Sequence, residues 1–104
     1  MDITKESEKL LCCMYRIYLE RRKQGIPKAT AIEFEDGFYI SDNHLKKFSR
    51  TDISCCLNEL KSHKLIHENI VGDVFLEDSS IFYMENRFKN GAKEVLDFLT
   101  NLIP

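Results

Sequence analysis

The segment SRTDISCCLNELKSHKLIHENIVGDVFL, residues 49–76, decides how this chain is read. Ser49-Arg50-Thr51-Asp52 is a capping box: the Ser49 hydroxyl accepts from the backbone three residues on, and the Asp52 carboxylate reaches back. Ile53, Cys56, Leu57 and Leu60 follow at i, i+3, i+4 and i+7, which predicts a helix over 50–63 with one buried stripe. Ile66 to Ile70 and Val74 to Leu76 then flank Val71-Gly72-Asp73, so two short strands around a glycine turn form a small hairpin, a wing over 66–77.

On the amino-terminal side, Leu10, Leu11, Met14, Tyr15, Ile17, Tyr18 and Leu19 cover more than half of a helical circumference, and Gly25 is a stop signal. A long first helix over 4–24 follows, with Thr4 as a plausible start. Residues 28–35, after Pro27, suit a short helix. The rival for this stretch is a hairpin, because Ile32 to Glu35 and Phe38 to Ile40 alternate around Asp36-Gly37. On the carboxy-terminal side Asp78-Ser79 can cap a last helix over 79–103, in which Ile81, Met84, Phe88, Ala92, Val95, Leu99 and Leu102 recur at steps of three and four. The stripe stays in phase across Asn90-Gly91, which favours one continuous helix, although Gly91 costs about 1 kcal/mol relative to alanine and is the place for a bend.

At 104 residues the chain fits one domain, and 43% hydrophobic residues suffice for a core. The expected fold class is mainly α with a small β-hairpin (α+β): a winged helix-turn-helix with long amino- and carboxy-terminal helices, in the order long helix, short helix, capped helix, wing. No run of about 18 apolar residues is present, and Met1-Asp2-Ile3-Thr4-Lys5 lacks a secretory signal, so a cytoplasmic location without membrane contact is expected.

Three stretches resemble a family of small winged-helix proteins of Gram-positive bacteria and their phages and mobile elements. They are Tyr18-Leu19-Glu20-Arg21-Arg22-Lys23-Gln24-Gly25, Asp52-Ile53 through Glu59-Leu60, and most distinctively Tyr83-Met84-Glu85-Asn86-Arg87-Phe88-Lys89-Asn90-Gly91. The resemblance implies the fold. It carries no agreed biochemical activity, so function is argued from the residues.

The net charge of −2 conceals segregation. Residues 20–28 and 44–64 each carry a net charge of +3, while 29–43 and 65–78 each hold four acids and no Lys or Arg. On the capped helix, the face opposite the buried stripe displays Thr51, Ser54, Cys55, Asn58 and Ser62, small side chains that can approach base edges. Lys46, Lys47, Arg50 and Lys61 border it and are expected to hold phosphates. A small transcriptional regulator or phage-type DNA-binding factor is therefore the leading expectation, with double-stranded DNA as partner. The acidic wing, with Glu68, Asp73, Glu77 and Asp78, tells against it and keeps a protein-interaction module as the alternative.

A last helix of about 25 residues would be about 37 Å long. Its stripe and the apolar first helix predict a homodimer joined through Leu10, Met14, Phe88, Val95, Leu99 and Leu102. Cys12-Cys13 and Cys55-Cys56 fit neither zinc spacing nor a disulfide framework. Cys56 lies on the buried stripe, and Cys55 points outward, where a thiol-based redox or soft-metal sensor is a minor alternative. His44, His63 and His67 match no catalytic motif, and the four glycines form no phosphate-binding loop. No catalytic residue, metal, cofactor or small-molecule substrate is expected.

Overall fold

The computed structural model describes residues 3–102, with side chains described through residue 100. Helix α1 (Lys5–Lys23) starts where the Thr4 side chain accepts from the Ser7 amide at 3.2 Å. Glu6 and Glu8 occupy its first turn and Arg21, Arg22 and Lys23 its last, matching the helix dipole at both ends. It stops in a Schellman motif, with Gly25 at φ 88° and the Ile26 amide bonded to the Arg21 carbonyl at 3.0 Å. Leu10 through Tyr15 are buried without interruption, so α1 is an axle wrapped by the other elements rather than a surface helix.

Helix α2 (Lys28–Ala31) is one turn long, and the chain then extends as β1 (Glu33–Phe34). The short helix expected over 28–35 thus ends at Ala31. The rival hairpin is not formed either: Asp36-Gly37 does turn the chain, with the Phe38 amide bonded to the Glu35 carbonyl at 3.0 Å, but Phe38–Ser41 is a 3-10 turn. The partner of β1 lies forty residues away. Helix α3 (Arg50–Ser62) carries the anticipated capping box, Asp52 N to Ser49 Oγ at 3.1 Å and Ser49 N to Asp52 Oδ2 at 3.3 Å. It ends in a second Schellman motif, here with Lys64 at φ 59°.

Strands β2 (Ile66–Glu68) and β3 (Val74–Leu76) form the wing, and β1 joins them in an antiparallel sheet of order β1-β3-β2, with Phe34 opposite Val74 and Glu68 opposite Val74 on the other side. Val74 and Leu76 turn inward while His67 and Phe75 stack outside at 4.8 Å. Phe34 is fully buried under the Arg21 guanidinium, 4.7 Å from the ring, and Arg21 also donates to the Ala31 and Glu33 carbonyls. Arg21 therefore stitches α1 to β1.

The carboxy-terminal helix predicted as continuous is two helices, α4 (Asp78–Arg87) and α5 (Ala92–Leu102). Phe88 leaves helical geometry at φ −117°, ψ 70°, and Gly91 sits at φ 78°. This bend lets α5 return along α1. Leu10, Met14, Phe88, Val95 and Leu99, expected to bind a second copy, are all buried by the chain's own packing. The Leu102 side chain and residue 103 fall outside the described residues. Phe98 packs on Phe88 at 5.4 Å, and Arg87 lies over Phe98 at 4.6 Å while pairing with Glu8 of α1. The expected class, mainly α with a small antiparallel sheet, is the class observed.

Candidate nucleic-acid interface

The outer face of α3 is built by its inner one. Ile53, Cys56 and Leu60 are buried, which turns Thr51, Ser54, Cys55 and Asn58 outward, all exposed. Lys46 and Lys47 are also exposed, because Leu45 before them is buried and Phe48 after them packs inward beneath Lys9, 5.1 Å from the ring. Arg50 is the first residue of α3 and equally exposed. Lys46, Lys47, Arg50 and Thr51 thus gather at the amino end of α3, where the helix dipole is positive.

Lys61 departs from this pattern. Its ammonium group is 2.8 Å from the Glu68 carboxylate of β2, and both side chains are 35% exposed. Of the four cations expected to hold phosphates, it is the one engaged in an ion pair within the chain. Carboxylates also flank the outer face of α3. Asp36 shares a shallow cleft with Tyr39, Arg50, Thr51 and Ser54, so an acid faces the α3 surface from the loop after β1. On the opposite flank Asn58 and Cys55 share a cleft with Glu6, Glu59 and His63. Positive charge is concentrated at one end of α3 and does not run along it.

In the basic stretch at 20–28, Arg21, Arg22 and Lys28 are engaged within the fold, while Lys23 is exposed. Arg21 stitches β1, Arg22 donates to the Ile26 carbonyl at 3.1 Å, and Lys28 pairs with Asp78 at 2.9 Å, a contact that raises the Lys28 pKa through its hydrogen bond to Asp78. The wing acids are engaged likewise: Glu68 with Lys61, Glu77 with His67, Asp78 with Lys28. Charge counted by segment therefore overstates the free charge of residues 20–28 and of the wing.

The wing turns at Gly72 as expected, but its first strand ends at Glu68 instead of running to Ile70. Asn69 Oδ1 accepts from the Val71 amide at 3.1 Å and the Asp73 amide at 2.9 Å, and Gly72 turns at φ 95°. This clasp holds Ile70 and Val71 outward, 104% and 70% exposed. Asp36 braces the tip: a Cβ on Gly72 would stand 3.2 Å from its carboxylate carbon. The signal was present in the two apolar residues placed before Gly72 in a turn.

Of the thiols, Cys12, Cys13 and Cys56 are buried and Cys55 is exposed. Burial pushes the Cys13 thiol up to about 12 and raises Cys12 further, so neither forms thiolate near neutrality. Among the described residues no three His, Cys, Asp or Glu side chains converge as a metal site, and no helix is long and apolar enough to cross a membrane. Comparison with known proteins found no matching family model, no matching curated protein and no matching solved structure.

Proposed function

We propose that the chain is a winged-helix DNA-binding protein that enters the major groove with the amino end of α3. The observation that carries this reading is the exposed row Thr51, Ser54 and Asn58 with three cations, Lys46, Lys47 and Arg50, clustered at its start. Asn58 is suited to pair with adenine, and the cations to hold phosphates. The wing supplies no phosphate contact in this reading, because residues 65–78 carry no Lys or Arg. With few phosphate contacts, affinity is modest and depends gently on salt. Kinship with the small winged-helix proteins of Gram-positive bacteria and their phages belongs to the same proposal; it rests on residues 18–25, 52–60 and 83–91.

The test is selection from a pool of random duplexes, followed by fluorescence anisotropy across a salt series. Replacing Lys46, Lys47 and Arg50 together with alanine is expected to abolish binding. Asn58→Ala is expected to cost about 1 to 3 kcal/mol on the selected sequence while leaving the salt slope unchanged. Absence of duplex binding at low ionic strength would end the proposal.

A second reading, a contact surface for protein, is favoured by the exposed and firmly held Ile70 and Val71. Exchanging both for serine is silent toward DNA in the first reading. In the second it removes the surface that matters.

A further inference from the structure

Helices α4 and α5 carry one apolar stripe between them. Ile81, Met84, Phe88, Ala92, Val95, Leu99 and Leu102 are spaced so that, were residues 78–102 one straight helix, all would fall within roughly 80° of a single line. The chain instead bends over residues 88–91, with Phe88 outside helical geometry and Gly91 at φ 78°. The Glu94 carboxylate holds the bend, accepting from the Asn90 amide at 3.1 Å. Beyond it, α5 buries Val95 and Leu99 completely, and α1 is the element it packs against most extensively.

We propose that α5 is an exchangeable arm, and that two copies of this chain form a dimer by straightening residues 88–91 and laying each α5 on the other copy's α1. The groove on α1 then receives the same helix it already holds, so shape and apolar complementarity are given by the monomer. Ile81, Met84, Phe88, Val95 and Leu99, all buried in the bent form, stay on one face when residues 88–91 straighten, so the straight form needs no apolar residue that the monomer does not already bury. The stacking of Phe98 on Phe88 and beneath Arg87 is remade between chains instead of within one. Asn90 and Gly91, both poor helix formers, weigh against straightening and keep the monomer in excess at low concentration. This proposal is independent of what α3 binds.

Two substitutions move the balance in opposite directions. A Cβ on Gly91 meets nothing within 4 Å, so Gly91→Ala is penalised in the bent form only through its positive φ. In a straight helix the same alanine is favoured. Summed over two chains, dimerisation strengthens by roughly a thousandfold. Ala92→Pro acts the other way: Ala92 is exposed and is the first residue of α5, where proline is accommodated, but it would be interior to a straight helix.

The experiment is light scattering from micromolar to millimolar concentration on the full chain and both variants. It is joined to isotope-filtered NOE spectra of equal mixtures of labelled and unlabelled chains. The expected result is a Gly91→Ala dimer whose α1–α5 contacts run between chains, and an Ala92→Pro monomer throughout. A Gly91→Ala chain that stays monomeric at millimolar concentration, or a dimer whose α1–α5 contacts stay within each chain, overturns the proposal. If Gly91→Ala does not fold, the unsubstituted chain is refolded from denaturant at millimolar concentration. A dimer fraction that Ala92→Pro lacks supports the exchange, and monomer alone refutes it.

Discussion

Substituting Glu68 with glutamine gives the sharpest test of the docking proposed for α3. Lys61 and Glu68 pair at 2.8 Å, each 35% exposed, so breaking the pair costs less than about 1 kcal/mol of stability and leaves the fold intact. Arg50 and Lys61 are eleven residues apart, about 16 Å along the axis, comparable with a major groove about 12 Å wide. In the proposed docking a freed Lys61 therefore reaches the groove wall opposite the one assigned to Lys46, Lys47 and Arg50. Three phosphate contacts give a salt slope of about −2.7, and a fourth makes it about −3.6. Between 50 and 200 mM salt the affinity then falls about 150-fold in the variant, against about 40-fold in the parent. At 50 mM the extra contact is worth about fifteenfold tighter binding. Anisotropy titrations of a selected duplex at five or so salt concentrations measure slope and affinity together. Equal slopes and equal affinities would refute the reasoning, because they would mean that the carboxy-terminal end of α3 does not approach the duplex.

Three further outcomes follow from the packing and the titrating groups. Phe34→Ala removes a fully buried ring and the platform under Arg21, and is expected to cost about 3 to 5 kcal/mol in urea unfolding. Hydrogen bonds from Ser7 and Thr4 hold the Glu59 carboxyl below its ordinary value of 4.5. A depressed carboxylate contributes its stabilisation in full above that ordinary value and loses it as pH falls through the folded-state pKa, so acid-titrated melting should show Glu59→Gln less stable at neutral pH and less sensitive below 4.5. With three of the four cysteines buried, a bulky disulfide reagent is expected to modify one thiol quickly in the native protein and all four in denaturant. Cys55→Ser should abolish the fast reaction.

What the sequence made legible was local. The capping box of Ser49 and Asp52, the cap of Thr4, the Gly25 stop and the turn before Asp73 each lie within a few residues, and each appears where the pattern put it. The two strand residues of β1 could not be read in this way, because Glu33 and Phe34 are fixed by Phe75 and Val74 rather than by their neighbours. Periodicity also cannot distinguish a straight helix from a bent one when the stripe remains in phase; Gly91 marks the place for a bend, but not that α4 already ends at Arg87. The apolar stripes of the first and last helices are legible in the sequence, but not their cover: α1 and the returning α5 bury each other within one chain, where the pattern alone suggests a second copy. At the candidate interface, the exposed face of α3 was read correctly from the 100° step. The neutralisation of Lys61 by Glu68 lies between elements and has no signature along the chain.

The sheet order β1-β3-β2 has a bearing on how the molecule comes into being. The strand in the middle is the last of the three to be synthesised, so two strands must wait for it without a partner. Until Val74–Leu76 leaves the ribosome no sheet can exist, and until α5 follows, much of α1 stands uncovered. During translation α2 and α3 can settle on α1 early, but the face of α1 that α5 covers needs shielding until Ala92–Leu102 arrives.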